Sequence, residues 1–289
     1  MRELTTIAEL RVVLDGERRA GRQVGLVPTM GFLHAGHASL MQGAAAECAL
    51  VVSTIFVNPL QFGPGEDLES YPRDLDGDRA TAVAAGVDIL FVPPLAEMYP
   101  EPMATSVSVS GVSAGMEGAS RPTHFDGVAT VVAKLFNLAG PCRAYFGEKD
   151  FQQLAVVRRM VRDLSFPVEI VGCPTVREPD GLAMSSRNAY LDVDQRVAAP
   201  VLHRALRLGA DLIEAGAADP DTVREAMRAL VGAEPLARLD YVEVADPDRL
   251  DALSTFDHHR GRSVRLLAAA RFGTPRLLDN VGVVVPVGE

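Results

Sequence analysis

The stretch V-G-L-V-P-T-M-G-F-L-H-A-G-H, residues 24 to 37, joins a short apolar run to two histidines three residues apart. The apolar run is typical of a buried strand, and a helical pattern begins at about residue 36. Gly31 and Gly36 allow the backbone to approach a ligand closely. A helix N-terminus offers N–H groups and partial positive charge, and His34 and His37 lie on one side of its first turn. The stretch therefore favours a strand-to-helix turn that binds an anion.

Two other interpretations of the histidine pair remain open on spacing alone. Local hydrogen bonds within the turn explain the pair as well as an anion does. A zinc site is less favoured, because no cysteine or glutamate lies at a usual ligand spacing from the histidines.

Apolar runs and helical patterns continue to alternate along the first part of the chain. Buried strands are predicted at 24–28, 49–57, 87–92, 142–146 and 168–172, and helices at 36–47, 73–85, 125–139 and 150–163. This alternation predicts an α/β fold, a Rossmann-like doubly wound parallel sheet, for residues 1–175. Such sheets bind ligands at the carboxyl ends of their strands, so the polar segments that follow these strands are expected at one edge.

The pattern changes after about residue 176. A P-D-G turn at 179–181 precedes predicted helices at 194–215 and 220–231 and predicted strands at 239–245, 263–270 and 282–287. We therefore expect residues 176–289 to form a second, smaller α+β domain.

Composition excludes several classes of function. The net charge of −10 is unfavourable for nucleic-acid binding, which needs a broad basic face. The three cysteines are far apart, which argues against a disulfide framework and a zinc knuckle. No apolar run is long enough to span a membrane, and acidic residues interrupt the N-terminus where a secretion signal would be apolar. We therefore expect a cytoplasmic protein with no membrane partner.

Four further segments carry residues suited to binding a charged substrate. Lys149, in G-E-K-D-F-Q-Q at 147–153, is one of only two lysines among 28 basic residues, and a lysine can neutralise phosphate oxygens. Arg187, in M-S-S-R-N at 184–188, could meet charge that develops on a leaving pyrophosphate. R-P-T-H-F-D-G-V at 121–128 adds a cation, Arg121, and an imidazole, His124. The neutral amides of Asn58, Gln61 and Gln153 suit a substrate that has hydroxyls and a carboxylate. Each also has an ordinary explanation as a surface or capping residue.

Together these motifs resemble one family. T-M-G-x-L-H-x-G-H at 29–37, F-V-N-P-x-Q-F at 56–62, R-P-x-H-F-x-G-V at 121–128, F-G-E-K-D-F-Q-Q at 146–153 and M-S-S-R-N at 184–188 occur in order along essentially the whole chain. The sequence thereby resembles the pantoate–β-alanine ligases, or pantothenate synthetases, which belong to the H-x-G-H nucleotidyltransferase superfamily.

The resemblance implies a reaction and a set of site residues. It implies that ATP, pantoate and β-alanine are the substrates, that Mg²⁺ bridges the ATP phosphates, that a pantoyl adenylate forms, and that the protein is a homodimer. It implies catalytic roles for His34, Lys149 and Arg187, with His37 as proton donor. ATP would contact Met30, Gly31, Phe32, Leu33, His34, Ala35, Gly36, His37, Gly147, Glu148, Lys149, Asp150, Val176, Met184, Ser185, Ser186 and Arg187. Gln61, Gln153 and Asn58 would hold pantoate, Gln61 would also border β-alanine, and no residue is assigned as a metal ligand.

Two positions depart from the pattern expected of the family. Ala35 replaces a commonly acidic residue, which matters little if its side chain points to solvent. Asp126 stands where a basic residue is frequent, so Arg121 is the one cation expected from that loop.

Three other functions remain open. A cofactor adenylyltransferase would leave AMP on its product. An aminoacyl-tRNA synthetase is disfavoured by the negative charge, and a non-catalytic nucleotide-binding module is the third alternative.

Overall fold

The computed structural model describes residues 1–287 and divides the chain into two compact units. The first unit comprises Met1–Glu148 and Val156–Pro174, and the second comprises Lys149–Ala155 and Thr175–Glu289. The segment Lys149–Ala155 therefore clusters with the second unit, whereas the sequence division at residue 175 assigns it to the first domain.

The first unit is built on a six-stranded parallel sheet with the strand order β1-β4-β3-β2-β5-β6. Its strands are β1 (Arg2–Leu4), β2 (Val24–Thr29), β3 (Leu50–Ile55), β4 (Ile89–Phe91), β5 (Cys142–Gly147) and β6 (Val168–Cys173). Its helices are α1 (Ile7–Arg19), α2 (Ala35–Glu47), α3 (Leu75–Ala84), α4 (Leu95–Met98), α5 (Glu117–Ser120) and α6 (His124–Ala139). Helix α7 (Phe151–Asp163) begins in the segment that clusters with the second unit and ends in the first.

The predicted α/β class, the five predicted strands and the four helices in this part of the chain are confirmed, with small shifts at their ends. Strand β1 and helix α1 were not predicted. Only Leu4 of the three residues in β1 is buried, so this strand leaves no readable alternation. Helix α1 does carry a capping signal, because the Thr6 side chain accepts a hydrogen bond from the Glu9 N–H.

Strand β2 lies where the chain order reverses. The chain proceeds from β2 to β3 and β4 on one side, and β5 and β6 lie on the other side of β2. The crevice beyond the carboxyl ends of strands at such a switch point is the usual ligand site of an open parallel sheet. Helix α2, which follows β2, packs Met41 and Ala44 into the core of the sheet, so the turn between β2 and α2 is anchored at both ends.

The second unit combines three helices with a three-stranded antiparallel sheet, as the predicted α+β class requires. The helices are α8 (Val193–Ala198), α9 (Val201–Glu214) and α10 (Pro220–Gly232), and the strands, in sheet order, are β7 (Arg238–Ala245), β8 (Ser263–Arg271) and β9 (Arg276–Val284). The buried face of the sheet packs on α9 and α10 in a separate apolar core.

Two element predictions for the second unit were wrong. The single helix expected at 194–215 is two helices, because Pro200 cannot continue the hydrogen-bond ladder of α8 and instead begins α9. The strand expected at 282–287 begins earlier, at Arg276. Asp279 and Asn280 interrupt its apolar pattern, yet both are buried within the strand.

Within residues 1–287, no helix is long and apolar enough to cross a membrane.

Candidate active site

The turn between β2 and α2 is closed by its own two histidines. His34 is the N-cap residue of α2, and its Nδ1 accepts a hydrogen bond from the Gly36 N–H at 3.1 Å. The His34 N–H donates to Nδ1 of His37 at 3.3 Å, which completes a capping box. The two ring centroids lie 4.1 Å apart.

This cap settles the tautomer of both rings. A neutral imidazole whose Nδ1 accepts a hydrogen bond carries its proton on Nε2. Each histidine therefore has a donor on the ring edge away from the cap. Local hydrogen bonding and anion binding, which the spacing left as alternatives, are compatible: the cap orients two N–H donors at a helix N-terminus.

A buried carboxylate from α3 holds the backbone just before this cap. Asp78 is 3% exposed, and its two oxygens accept hydrogen bonds from the Phe32 N–H at 3.0 Å and the Leu33 N–H at 2.6 Å. Gly31 has φ +84°, and a Cβ at this position would lie 2.9 Å from Oδ2 of Asp78. Phe32 also has a positive φ, +51°. The left-handed backbone at 31–32 turns both N–H groups toward the carboxylate.

The pKa of Asp78 is raised by burial, which outweighs the lowering effect of the two backbone hydrogen bonds, and nearby Asp74 raises it further. Sequence reasoning missed Asp78 because D-L-D-G-D at 74–78 looks like the exposed first turn of a helix.

Two buried amides lie beyond the end of β3, as predicted. Asn58 is 1% exposed and Gln61 is 7% exposed. The Asn58 Nδ2 donates to Oε1 of Gln61 at 3.2 Å, and the Tyr99 hydroxyl donates to Oδ1 of Asn58 at 2.8 Å. Burial raises the pKa of Tyr99 to about 12, so this phenol stays protonated and remains a donor at neutral pH. The Gln61 Nε2 lies 3.0 Å from Sδ of Met30 and thus contacts the histidine turn.

Arg121 and His124, both predicted substrate residues, bind the backbone of Gln61. The carbonyl oxygen of Gln61 accepts a hydrogen bond from Arg121 Nη2 at 3.2 Å and lies 2.9 Å from His124 Nδ1. Arg121 also forms a two-pronged ion pair with Glu66, at 2.8 and 2.5 Å. Burial raises the pKa of Glu66, but the hydrogen bonds and charge of Arg121 outweigh burial and hold this pKa below its usual value.

In the second unit, Lys149 lies in a 3₁₀ turn at Glu148–Asp150. Its side chain is 19% exposed, and its Nζ lies 3.3 Å from Oδ1 of Asp150. The carbonyl oxygen of Lys149 accepts a hydrogen bond from Nδ2 of Asn280 at 2.7 Å. Lys149 and Ser185 both line a small pocket within this unit.

The M-S-S-R-N segment follows a short hairpin. The Met184 N–H donates to the carbonyl of Val176 at 3.0 Å, which pairs these two predicted ATP residues. Ser185 caps a 3₁₀ helix at Ser186–Tyr190, and its hydroxyl accepts a hydrogen bond from the Arg187 N–H at 3.3 Å. Arg187 is thereby held at the start of a regular turn.

The predicted site residues thus form two groups. The first unit holds Met30, Gly31, Phe32, Leu33, His34, Ala35, Gly36, His37, Asn58, Gln61, Arg121, His124, Gly147 and Glu148, and the second holds Lys149, Asp150, Gln153, Val176, Met184, Ser185, Ser186 and Arg187. Ala35 is exposed, as expected of a side chain that points to solvent. Gln153 is half-buried, and its neighbour Gln152 is buried. In the described part of the chain, no group of three or more His, Cys, Asp or Glu side chains is placed to hold a metal ion.

Comparisons with known proteins agree over nearly the whole chain. A family model described as Pantoate-beta-alanine ligase matches residues 2–282. A pantothenate synthetase of Roseiflexus sp. is 56% identical over 282 residues, which are 97% of this chain and 98% of the relative. The crystal structure of pantothenate synthetase from Thermus thermophilus has a TM-score of 0.91 and 53% identity, and the match covers 99% of this chain and 100% of that one. A pantoate-beta-alanine ligase from Francisella tularensis, complexed with beta-gamma ATP and beta-alanine, has a TM-score of 0.80 at 31% identity over 97% of each chain.

Proposed function

This chain belongs to the pantoate–β-alanine ligase family, and we propose that it condenses pantoate with β-alanine to pantothenate while ATP is converted to AMP and pyrophosphate. The contact between Gln61 and Met30 carries the proposal. It joins a buried amide pair, suited to a hydroxy acid, to a turn whose imidazoles donate toward an anion. A site of this kind can hold a carboxylate beside a phosphate, as adenylation of pantoate requires.

In the first step, the pantoate carboxylate attacks the α-phosphorus of ATP and pyrophosphate leaves. The reaction is accelerated by positioning and by charge stabilisation, and needs no covalent nucleophile from the protein. The Nε2–H groups of His34 and His37 donate to phosphate oxygens. Lys149 supplies a mobile positive charge, and Arg187 offers a planar fork of donors for the departing pyrophosphate.

We assign the remaining ATP contacts as the resemblance implies. They come from the backbone at Met30–Gly36, from Gly147–Asp150, from Val176 and from Met184–Ser186. Mg²⁺ usually keeps several waters and is held by substrate phosphates with one or two carboxylates. We therefore write the substrate as MgATP. The Lys149 turn carries two carboxylates, Glu148 and Asp150, and neither is assigned as a ligand of the ion.

Pantoate is held by Gln61 and Gln153, with Asn58 in support. The Tyr99 hydroxyl and the Gly127 carbonyl fix the Asn58 amide, with the carbonyl 3.1 Å from Asn58 Nδ2. Arg121 and His124 bind the backbone of Gln61, so their first effect is to orient that residue. Direct contact of either side chain with substrate remains a prediction.

In the second step, the amine of β-alanine attacks the carbonyl of pantoyl adenylate. An amide bond forms, the bond between the carbonyl carbon and the AMP oxygen breaks, AMP leaves as its phosphate anion, and the proton lost by the amine passes to solvent. His37, the proton donor that the resemblance implies, holds its donor hydrogen on Nε2. Gln61 also borders the β-alanine position.

Product identification tests the proposal against its rivals. Folded protein with MgATP, pantoate and β-alanine should yield pantothenate, AMP and pyrophosphate in equal amounts by mass spectrometry. A cofactor adenylyltransferase would retain AMP on its product, and a binding module would consume no ATP. Formation of ADP, or of no pantothenate, would contradict the proposal.

We also propose that the protein is a cytoplasmic homodimer, as the family resemblance implies. Sedimentation equilibrium of the purified chain should give twice the monomer mass of 30.9 kDa. Cell fractionation followed by detection of the chain tests its location.

A further inference from the structure

The turn that carries Lys149 is held by the side chain of a distant strand residue. Asn280, on β9, is 3% exposed, and its Nδ2 donates to the carbonyl oxygen of Lys149 at 2.7 Å. This bond joins residues 131 apart in sequence, both of them within the second unit. It joins the start of the Lys149–Ala155 segment to strand β9 of that unit.

The orientation of the Asn280 amide is fixed from its other side. Its Oδ1 accepts a hydrogen bond from Nε of Arg265 at 2.7 Å. Because a guanidinium can only donate, Oδ1 must face Arg265 and the NH₂ group must face Lys149. The Arg265 guanidinium also lies 3.8 Å from the ring centroid of Phe151, two residues after Lys149. Strand β8 therefore contacts the first residue of α7, directly after the Lys149 turn.

A buried ion pair anchors the strand at the neighbouring position. Asp279 is 4% exposed and accepts hydrogen bonds from both terminal nitrogens of Arg177, at 2.6 and 2.9 Å. Its Oδ1 also accepts the backbone N–H of Asn280 at 2.7 Å. A buried carboxylate paired in this way resists displacement, because loss of one partner leaves an uncompensated charge. Asn280 thus projects from a strand that is itself well fixed.

We propose that Asn280 is a positioning residue for Lys149 in the adenylation step. Lys149 has a flexible side chain, and its ammonium contacts Asp150 at 3.3 Å. The backbone from which the side chain extends therefore decides where the charge can reach. A displacement of about 1 Å at a reacting group can lower a rate by up to about 100-fold, so a fixed carbonyl at Lys149 has a direct effect on catalysis.

This inference rests on the proposed function, because it assigns Asn280 to the reaction in which Lys149 acts. Its rival is a purely structural role, in which Asn280 only satisfies polar groups inside the second unit. The two roles differ in one respect. If Asn280 acts through Lys149, replacing Asn280 changes the exchange rate little once the Lys149 ammonium is removed. If its role is only structural, the replacement lowers the exchange rate by the same factor with or without that ammonium.

A double-mutant cycle on adenylation separates the two roles. The assay is pantoate-dependent exchange of labelled pyrophosphate into ATP without β-alanine, with Asn280→Asp, Lys149→Ala and the double variant. Asn280→Asp keeps the acceptor for Arg265 and removes the donor to Lys149. We expect it to lower the exchange rate about tenfold in the wild-type background and less than about twofold in the Lys149→Ala background. An equal loss in both backgrounds, or no loss in either, would overturn the inference.

Asp246→Ala is the matched control, since the Asp246 side chain also bonds to backbone of the second unit, where it accepts the N–H groups of Asp248 and Arg249 and makes no bond to the Lys149 turn. It should exchange at the wild-type rate. If Asn280→Asp fails to fold, as judged by near-ultraviolet circular dichroism, Asn280→Ala takes its place in the cycle. A loss of exchange in Asp246→Ala equal to that in the Asn280 variant would point to general destabilisation and overturn the inference.

A second readout does not depend on activity. The chain has only two lysines, Lys134 and Lys149, so reductive methylation with ¹³C gives two lysine signals in an NMR spectrum, assigned with Lys134→Arg. The Asn280 variant should shift the Lys149 signal and leave the Lys134 signal in place. The two readouts fail independently. Absence of exchange in wild-type protein would contradict the proposed function. An unchanged Lys149 signal in the Asn280 variant would overturn the positioning of Lys149 by Asn280, whether or not exchange occurs.

Discussion

The turns that follow β2 and β5 are held by opposite kinds of group. The turn at 30–37 leaves backbone N–H groups to be satisfied, and the Asp78 carboxylate and the two histidine Nδ1 atoms accept them. The turn at 148–150 presents a carbonyl oxygen, and the Asn280 amide donates to it. Each turn is therefore fixed by the polar partner that its backbone lacks. In the reaction that we propose, the imidazole Nε2–H groups of the first turn and the lysine ammonium of the second donate to phosphate oxygens.

The largest effect is expected at the histidine turn. Glutamine is a normal N3 residue of a capping box, so His37→Gln should keep the cap and remove only the imidazole donor. We expect pyrophosphate exchange to fall about 100-fold or more, the scale of one lost donor to developing charge, with the free energy of unfolding unchanged. His37→Ala serves as the comparison, because it loses both cap and donor and should also be less stable in urea. Wild-type exchange by His37→Gln would show that the ring serves only as a cap.

Lys149 should have the next largest effect. Lys149→Ala removes a charge-assisted contact and should lower the exchange rate at least about tenfold. Arg158→Ala removes an equal charge from an exposed position of α7, the helix that follows the Lys149 turn, and should exchange normally. If the two variants behave alike, the effect of Lys149 is one of overall charge rather than of position.

Asp78 tests whether the histidine turn depends on its buried carboxylate. Asp78→Ala leaves two N–H groups without an acceptor and should lower the free energy of unfolding by about 1–3 kcal/mol. The rate of exchange should fall as well, because the cap loses its anchor. Asp76→Ala, on the exposed face of the same helix with a side chain 92% exposed, should change stability by less than about 0.5 kcal/mol. Urea denaturation of both variants measures these differences, and equal free energies of unfolding would show that Asp78 does not hold the histidine turn.

The smallest expected effect concerns the ion pair that holds the Gln61 backbone. The folded-state pKa of Glu66 is held below its usual value of 4.5, so its contribution to stability is fully present above that value and is lost as pH falls through the folded-state pKa. Glu66→Gln should therefore be less stable than wild type by about 1 kcal/mol at pH 7, because the pair is only partly exposed. The difference should shrink below pH 4.5. A difference that is constant with pH would exclude the ion pair as its cause.

Much of the fold was readable from the sequence because buried parallel strands leave near-continuous apolar runs, as in L-V-V-S-T-I at 50–55. The position of the strand-end turns, which carry candidate site residues, could be predicted for a related reason: the topology itself places such turns at one edge of the sheet. The His34 and His37 spacing left capping and anion binding as alternatives, and the structure shows that a single arrangement is compatible with both.

The residues that hold the site were not readable. Asp78 and Asn280 act through backbone groups 45 and 131 residues away, and no local pattern encodes such partners. The incorrect start of β9 has the same origin. Asp279 and Asn280 break the apolar alternation because they bind Arg177 and the Lys149 turn. The first part of β9 therefore did not have the sequence pattern of a strand.

In the reaction that we propose, ATP activates pantoate before β-alanine takes part. The most direct measurement is pantoate-dependent exchange of labelled pyrophosphate into ATP by wild-type protein with Mg²⁺ and no β-alanine. We expect exchange that requires pantoate and is lost in His37→Gln. Folded protein that makes pantothenate yet shows no exchange until β-alanine is added would contradict a separate adenylation step.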